Sequence, residues 1–499
     1  MESAETDALL TNEPQEPVNL NHRRRKQGAA IGAGVVFLLV VVYLAFHSTQ
    51  PHKVRGVILM ISDGFGPASQ TMARNYYQYI HSLPNNTVLP LDQILVGSSR
   101  TRSSSSFVTD SAAGATAFAC ALKTYNGAIA VDPQGKPCGT VLEAAKESGM
   151  LTALVATSRI THATPASFAA HVGARDDEAD IALQEIGNYT LGRSVDLMFG
   201  GGKCFFLPNS TAGSCRQDNI DVFEQAATLG WSVGHGMNDF NSLTAFSQLP
   251  LMNLFALDHM NYDIDRDPAV QPSLQQMAIK ALEIIEKASI QQNKRFFMMI
   301  EGSRIDMAAH SNDPASHVHD ILAYNDAIDS VKKFVEKNPD VVMISVSDHE
   351  TGGFSVAHQL GTQYPEYNWF PNELVPVRHS GEYIAQQLYT QTVLNRKDFI
   401  HDIIFKKWLG ITKPDPKDIE YLSQNLTLSE IDYYVGRVIS DRAGLGWATH
   451  GHSAVDVNLY AYGAKSEELR GNHENTDIGD FIVRNLDLDL SKITQKLQS

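Results

Sequence analysis

Cysteine is scarce in this sequence, with four residues in 499: Cys120, Cys138, Cys204 and Cys215. Four are too few for a fold held together by disulfides, and their spacing does not match a zinc knuckle. Cys204 and Cys215 flank a loop rich in Pro, Asn, Ser and Gly and are the favoured disulfide pair, whereas Cys120 and Cys138 can pair only if the segment between them doubles back. The sequence does not decide the connectivity.

An excess of basic residues is also lacking. The chain has 40 Lys and Arg against 56 Asp and Glu residues, a net charge of -16 at pH 7. Without a basic patch it is not expected to bind nucleic acid. Internal repeats and long low-complexity linkers are absent as well.

One uncharged run, from Gly28 to Phe46, is apolar except for a single tyrosine. Its length of about 19 residues just spans a bilayer core as a helix. A cleaved signal peptide is the alternative, but the run is long for one, and the following His47–Pro51 segment lacks a small-residue cleavage site. We therefore predict a transmembrane signal anchor at 28–46.

The residues on either side of this run predict its orientation. A basic cluster, Arg23–Lys26, precedes it, and only Lys53 and Arg55 follow closely. The positive-inside rule then places residues 1–27, which are polar and expected to be disordered, in the cytosol. Residues 47–53 become the stalk of a single-pass type II membrane protein whose remaining chain is lumenal.

Short motifs on the two sides agree with this topology. On the tail, Glu5–Leu10 resembles the acidic dileucine signal that sorting adaptors bind. On the lumenal side lie four N-glycosylation sequons, at Asn85, Asn188, Asn209 and Asn425. Together with the cysteines they predict an oxidising, glycosylating compartment.

Apolar runs of strand length alternate with amphipathic helical stretches from Val54 onward. The runs lie at Val57–Ile61, Leu154–Ala156, Phe296–Ile300 and Val341–Val346, and the helical stretches include Gly139–Ser148 and Pro272–Ser289. Continuous apolar runs are typical of strands buried on both faces of a parallel sheet. We therefore predict a three-layer α/β/α domain over 54–499 with a large, mostly parallel sheet, in which residues 360–445 form an insertion or cap.

Ser111 lies between an extended stretch, predicted as a strand ending at Val108 and Thr109, and an Ala-rich run predicted as a helix. Its hydroxyl would then lie at a helix N-terminus, where free N–H groups and the helix dipole favour a phosphate. An ordinary Asp-Ser helix cap is the alternative.

Metal-binding side chains follow several of the apolar runs. Asp63 follows the first run, Glu301 the third, and Asp348 with His349 the fourth. Ligands of open parallel sheets bind beyond the carboxyl ends of the strands, so these side chains are expected to converge.

Further candidates lie outside these positions. Asp306 and His310 are four residues apart and share one face if their segment is helical, and His450 and His452 add imidazoles near the C terminus. Each element alone is as well explained by a cap, a turn or a surface pair. Together, the Asp/His mixture suits zinc, and a set of carboxylates and hydroxyls suits magnesium.

Seven separated segments between Val54 and Gly463 resemble the alkaline phosphatase family. They are the Asp-Gly after the first strand, Thr-Asp-Ser-Ala-Ala, Thr-His-Ala-Thr-Pro-Ala, His-Val-x-x-Arg, Glu-Gly-x-x-Ile-Asp-x-x-x-His, Ser-Asp-His-Glu-Thr-Gly-Gly and Thr-His-Gly-His. The resemblance implies a metal-dependent phosphate monoesterase with an alkaline optimum, a broad range of small substrates and a homodimeric assembly. With the anchor and the dileucine motif, it leads us to expect the lumen of a vacuole or lysosome-like organelle.

The resemblance also implies roles for the matching residues. Ser111 is the nucleophile that becomes transiently phosphorylated, and Arg175 binds two phosphate oxygens with its planar guanidinium. One zinc, which activates the hydrolytic water and stabilises the leaving oxygen, is held by Asp306, His310 and His452. A second, which lowers the pKa of Ser111, is held by Asp63, Asp348 and His349. A magnesium is held by Asp63, Thr164 and Glu301.

Other polar residues near these motifs have less definite roles. His162 occupies a place near the magnesium where family members carry Asp or His, so the metal preference of that site stays open. Asp110 and His450 are placed beside the site rather than among the ligands. His317 and His319 are expected on the surface of a helix.

Two other classes of function compete with this interpretation. A nucleotide phosphodiesterase of the same superfamily has Thr as nucleophile and lacks the magnesium ligands, and a sulfatase needs a modifiable Cys. An inactive adhesion or scaffold ectodomain would have lost a ligand, and none is lost here.

Overall fold

In a computed structural model of the protein, the described residues are 54–391 and 395–499. The tail at 1–27, the Glu5–Leu10 motif, the span at 28–46 and the stalk at 47–53 lie outside them. Within the described part of the chain, no helix is long and apolar enough to cross a membrane.

The strands confirm the predicted mostly parallel sheet. They are β1 Gly56–Ser62, β2 Leu95–Arg100, β3 Leu151–Arg159, β4 Leu197–Gly201, β5 Ser232–Gly234, β6 Leu251–Leu254, β7 Phe296–Gly302, β8 Val341–Val346, β9 Glu350–Thr351, β10 His452–Ser453, β11 Val457–Gly463 and β12 Gly471–Glu474. Ten of them form one sheet in the order β12-β2-β11-β8-β1-β7-β3-β4-β6-β5. Only β11 runs antiparallel to its neighbours, β2 and β8, and β9 pairs with β10 in a small separate sheet.

Strand β1 lies at the centre of the large sheet and is buried over its whole length, as its continuous apolar sequence requires. Ile58 and Met60 face one apolar cluster, and Val57, Leu59 and Ile61 face the other. Because successive side chains of a strand point to opposite faces, each cluster needs its own layer of helices.

Helices supply both layers. They are α1 Pro67–Ile80, α2 Ser111–Cys120, α3 Val141–Glu147, α4 Ala163–Ala169, α5 Glu178–Glu185, α6 Val222–Thr228, α7 Met237–Ser242, α8 Leu274–Gln292, α9 Arg304–His310, α10 Pro314–Lys337, α11 Gly381–Tyr389, α12 Arg396–Asp398, α13 Pro416–Leu422, α14 Leu428–Ala443, α15 Asn475–Leu486 and α16 Leu490–Gln498, with a π-helix at Phe399–Trp408. Short 3₁₀ turns lie at Leu91–Ile94, Lys203–Phe205, Asp263–Asp265, Pro371–Glu373 and Ser466–Leu469. Helices α8, α10, α11 and α14 pack on one face, and α2, α3, α4 and α15 on the other, which confirms the three layers.

The described residues between 360 and 445 contain helices and no strand, as the sequence predicts for this region. Its helices contribute Ile384, Ile404 and Val435 to the apolar cluster that also covers one face of the sheet. The N–H of Gly381 donates to the Asp313 carboxylate at 2.9 Å, which ties α11 to the start of α10. The region is therefore packed on the domain.

The structure contains the favoured disulfide, Cys204–Cys215, and also Cys120–Cys138, which the sequence left conditional. The segment between Cys120 and Cys138 does double back, because the N–H of Cys138 donates to the carbonyl of Ala130 at 3.0 Å and Val131 forms a bridge with Pro137. Cys120 and Cys138, the less favoured pair, can therefore form a disulfide because the segment between them turns back.

Candidate metal and phosphate site

Three neighbouring strands deliver acidic residues to one edge of the sheet. Strand β1 pairs in parallel with β7 and β8, so that Ile61 lies beside both Glu301 and Val346. Asp63 and Asp348, which follow β1 and β8, therefore emerge close to Glu301. All three carboxylates are fully buried.

Ser111 is the first residue of α2, and its hydroxyl contacts one of these carboxylates, that of Asp63. Asp110 caps the helix by accepting from the N–H of Ala113 at 3.0 Å. The Ser111 Oγ lies 3.3 Å from Asp63 Oδ1 and 3.1 Å from His349 Nε2. Helix α2 begins where the sequence predicts. The prediction of a strand ending at Val108 and Thr109 is wrong, because these residues belong to an irregular loop after β2.

Two glycines allow this close approach. A Cβ on Gly114 would lie 2.9 Å from Asp348 Cβ, so a larger residue would push α2 away from the carboxylates. Gly64 has a φ of +72°, and a Cβ there would lie 2.7 Å from Asp306. Because glycine has no Cβ, both positions let the acidic residues lie close to Ser111.

A first metal-binding cluster forms around Asp306. His310 Nε2 lies 3.3 Å from Asp306 Oδ2, as the four-residue spacing on α9 predicts, and 3.1 Å from His452 Nε2. Ligand atoms of Asp306, His349 and His452 all lie within 4.8 Å of one another. His452 reaches this point because β10 pairs with β9, placing it opposite Thr351.

A second cluster consists of Asp63, Asp348 and His349, whose ligand atoms also lie within 4.8 Å of one another. Burial and the neighbouring carboxylates raise the pKa of Asp63 well above its usual range, and burial and Asp306 raise that of Asp348 to about 6. Buried carboxylates this close repel one another when ionised, and a cation between them removes the repulsion. His349 lies between the two clusters, with its ring stacked on His452 at 3.5 Å.

Among the described residues, five of the 18 buried side-chain polar atoms without a hydrogen-bond partner belong to the predicted ligands or to their neighbour His162. They are Asp63 Oδ2, Asp348 Oδ2, Thr164 Oγ1, Glu301 Oε1 and the neighbouring His162 Nδ1. Buried polar groups without a partner are rare in proteins, because each costs about 1 to 3 kcal/mol. Their concentration here fits metal ions as the missing partners, with carboxylate and hydroxyl oxygens for magnesium and an Asp/His mixture for zinc.

Arg175 lies next to the residue that precedes Ser111, Asp110. Its guanidinium contacts Asp110 Oδ2 at 3.2 Å and His162 Nε2 at 3.0 Å. Burial and the Arg175 charge lower the pKa of His162 well below its usual range, so the ring stays neutral. The planar guanidinium lies beside the Ser111 helix start, where it can bind a phosphate that the helix N-terminus also favours.

The structure corrects one prediction about histidines. His317 is fully buried on α10, with Nδ1 at 2.9 Å from the Ile305 carbonyl and Nε2 at 2.8 Å from the Ser69 hydroxyl. The expectation that it lies on the helix surface is wrong. Its spacing of four residues from Ile321 places it on the apolar face of α10, a signal already present in the sequence. His319 is partly buried.

Sequence reasoning also missed residues that orient the ligands. The Thr351 hydroxyl donates to Asp306 Oδ1 at 2.5 Å and contacts His349 Nδ1 at 3.1 Å. The Ser158 hydroxyl donates to Glu301 Oε2 at 3.3 Å. Thr351 lies inside a quoted motif, two residues after His349, whereas only the fold brings Ser158 to Glu301.

The remaining predicted sites lie at the surface. The side chains of all four sequon asparagines, Asn85, Asn188, Asn209 and Asn425, are exposed and accessible to a glycan. His450 is exposed as well and lies next to the first cluster without belonging to it.

The chain is similar to known proteins over most of its length. Residues 54–488 match the family model described as alkaline phosphatase. The alkaline phosphatase of Schizosaccharomyces pombe is 45% identical over 507 aligned positions, covering 99% of this chain and 94% of that protein.

Solved structures share the fold. The cold-active alkaline phosphatase of a psychrophilic Shewanella matches 86% of this chain and 99% of its own, with a TM-score of 0.73 and 28% identity. A mutant alkaline phosphatase of the Antarctic bacterium TAB5, described with Mg bound in its M3 site, matches 88% of this chain and all of its own, with a TM-score of 0.63 and 27% identity.

Proposed function

This chain belongs to the alkaline phosphatase family and is a metal-dependent hydrolase of phosphate monoesters, and from this premise we propose that the reaction proceeds through a phosphorylated Ser111. One observation carries the proposal. The Ser111 hydroxyl lies within 3.3 Å of Asp63 and His349, which belong to the second cluster, and begins the helix whose N-terminus favours phosphate.

In the first step, the Ser111 oxygen attacks phosphorus, the bond from phosphorus to the ester oxygen breaks, and the alcohol leaves with a proton. In the second step, water attacks the phosphoserine, the bond between phosphorus and the Ser111 oxygen breaks, and inorganic phosphate is released. A covalent intermediate divides one slow hydrolysis into two displacements.

The chain's own residues prepare each displacement. Helix α2 and Arg175 orient the phosphate with its oxygens toward N–H donors, so that the Ser111 oxygen is in line with the leaving oxygen. Asp63 and His349 contact the Ser111 hydroxyl and fix its direction. When bound, the metal ions supply positive charge that lowers the pKa of Ser111 and stabilises the attacking and leaving oxygens.

Two zinc ions and one magnesium ion per subunit are the metal content that we propose. The Asp306, His310 and His452 cluster and the Asp63, Asp348 and His349 cluster have the mixed donors that suit zinc. Asp63, Thr164 and Glu301 offer oxygen donors for magnesium, with His162 beside them. Elemental analysis of the purified protein tests this stoichiometry, and a zinc content other than two per subunit would contradict it.

The experiment for the proposed intermediate compares Ser111→Ala with Ser104→Ala, an exposed serine of the neighbouring loop. We expect Ser111→Ala to lose at least about a thousandfold in kcat on a phosphate monoester and Ser104→Ala to retain activity. Acid quenching with a radiolabelled monoester should trap label on the Ser111 peptide. Preference for a matched diester would indicate a phosphodiesterase instead, and a folded, metal-loaded but inactive protein would indicate a scaffold.

A membrane-anchored, glycosylated homodimer in a vacuole or lysosome-like organelle is the wider setting that we propose. It is supported by the basic cluster before the 28–46 run, by the exposure of the four sequon asparagines, and by family likeness. Changing Leu9 and Leu10 to alanine while following the protein's location tests the sorting motif. Unchanged delivery would remove Glu5–Leu10 from the proposal.

A further inference from the structure

A pocket of about 450 Å³ lies beside the first metal-binding cluster, and the mechanism above makes no use of it. Its wall includes His450, whose ring nitrogen Nδ1 donates to the carbonyl of His310 at 2.7 Å. His310 belongs to the first cluster, so a single residue separates the pocket from the proposed zinc site. The volume is in the range of pockets that hold small organic ligands.

The contacts between Ser111 and His310 indicate how the pocket lies relative to the nucleophile. Ser111 contacts His349, whose ring stacks on that of His452. His452 in turn contacts His310. In an in-line displacement the leaving oxygen is opposite the attacking one, which places it near His310 and His452. The part of the substrate attached to that oxygen therefore extends toward His450.

Aromatic side chains form much of the pocket lining. The Tyr433 ring stacks on His450 with centroids 4.0 Å apart and is itself 39% exposed. Tyr421 and Tyr434 form a second stack at 3.9 Å, and the Arg437 guanidinium lies 4.5 Å from the centre of the Tyr434 ring. Parallel aromatic faces and a stacked guanidinium are surfaces that bind planar rings.

We propose that this pocket is the subsite for the leaving group, and that it selects phosphate monoesters whose alcohol carries a planar aromatic or heteroaromatic ring. The proposal rests on the proposed function, because the direction of the leaving oxygen follows from Ser111 as the nucleophile. Tyr433 and Arg437 are the specificity-determining residues, and neither takes part in the chemical step.

Two pairs of substrates test the subsite in the full-length protein. Benzyl phosphate and ethyl phosphate differ by a ring on an otherwise similar alcohol, and adenosine 5′-monophosphate and ribose 5-phosphate differ by a base. For each pair the measured quantity is the ratio of the two kcat/KM values. We expect Tyr433→Ala to lower the benzyl-to-ethyl ratio about fivefold, mainly through KM, and Tyr433→Phe to keep it.

Tyr389→Ala is the matched control, because this tyrosine is 59% exposed on α11 and does not line the pocket. A lower ratio for both pairs supports a pocket wide enough for a nucleoside, and a lower ratio for the benzyl pair alone supports a pocket for small aryl groups. Unchanged ratios in Tyr433→Ala would overturn the proposal. Turnover close to that of the wild type in Ser111→Ala would instead count against the proposed nucleophile, so the two failures are distinguishable.

Discussion

His310 and His450 hold each other through a reciprocal pair of hydrogen bonds. His310 Nδ1 donates to the His450 carbonyl at 2.5 Å, and His450 Nδ1 donates to the His310 carbonyl at 2.7 Å. A carbonyl oxygen only accepts, so both rings carry a proton on Nδ1. His310 Nε2 is thereby directed at Asp306 and His452, and the carbonyl behind it raises its strength as a metal ligand.

Removing the His450 side chain is expected to weaken metal binding without removing a ligand. We expect His450→Ala to lower the zinc affinity of the first cluster by about 10- to 100-fold, because the His310 carbonyl loses the hydrogen bond that His450 Nδ1 donates. His450→Asn should restore much of it, since the Asn amide can donate from nearly the same place. Zinc competition against a chromogenic chelator measures the affinity, with the surface variant His401→Ala as control. Equal affinities in all four proteins would contradict this role.

Metal removal is expected to destabilise the fold. An ion that binds only the folded state stabilises it by about 2.7 kcal/mol when its free concentration is 100 times its Kd. Treatment with a chelator should therefore lower the melting temperature in calorimetry, and zinc with magnesium should restore it.

The double variant Asp63→Asn with Asp348→Asn separates this effect from chelator artefacts. Without metal it should melt above the chelated wild type, because the amides no longer bear the cost of burying two ionisable carboxyls, whose pKa values are raised by burial and by neighbouring carboxylates, Asp306 in the case of Asp348. Adding zinc and magnesium should raise the melting temperature of the double variant only slightly. A double variant that melts below the chelated wild type would show that burying these two carboxyls without metal does not destabilise the fold.

Glu185 gives a prediction for pH. It is fully buried at the end of α5, and neither of its carboxylate oxygens has a hydrogen-bond partner. Burial, assisted by the negative charge of Glu178, raises its pKa well above the usual range. The folded protein therefore keeps a proton that the unfolded chain releases above about pH 4.5.

The contribution of Glu185 to the free energy of unfolding therefore falls as the pH rises from about 4.5 toward the raised pKa of Glu185 in the folded protein. It falls by at most about 1.4 kcal/mol per pH unit. We expect Glu185→Gln to be more stable than the wild type at pH 8 to 9, with the advantage vanishing near pH 4. Urea denaturation across this pH range measures the difference. Glu224→Gln, at an exposed position of α6, is the control, and a pH-independent difference would show that Glu185 is not the titrating group.

The disulfide between Cys120 and Cys138 is expected to raise the free energy of unfolding and to have little effect on catalysis. It closes a segment with a sequence separation of 18 residues at the far end of α2 from Ser111. Replacing both cysteines with alanine should cost about 3 kcal/mol of unfolding free energy, and the folded variant should keep its KM. Denaturant titration measures the loss, and identical midpoints for variant and wild type would contradict it.

The sequence predicts the part of the site that follows the strands. Asp63, Glu301 and Asp348 lie where continuous apolar runs end, and parallel pairing brings such ends together. His310 follows from a helical spacing. By contrast, the position of His452 depends on the pairing of β9 with β10, a contact between residues about 100 positions apart that no local pattern reveals.

Other predictions failed or stayed incomplete for physical reasons. The Val108 and Thr109 segment has the composition of a strand, but hydrogen bonds within the loop and to Asn126 hold it in an irregular path. The pairing of Cys120 with Cys138 depended on the turn between them, which spacing alone does not define. Residues outside the quoted motifs, such as Ser158, reach the site only through the assembled fold.

The order of the strands has a consequence for the synthesis of the protein. Strand β11 lies between β2 and β8, and His452 just before it completes the first cluster, so a chain ending before these residues lacks both a ligand and an interior strand. Ribosome-bound intermediates and prematurely terminated products should therefore be catalytically silent. Hydrolysis should therefore begin only when almost the whole polypeptide has been made, and activity should report completed translation.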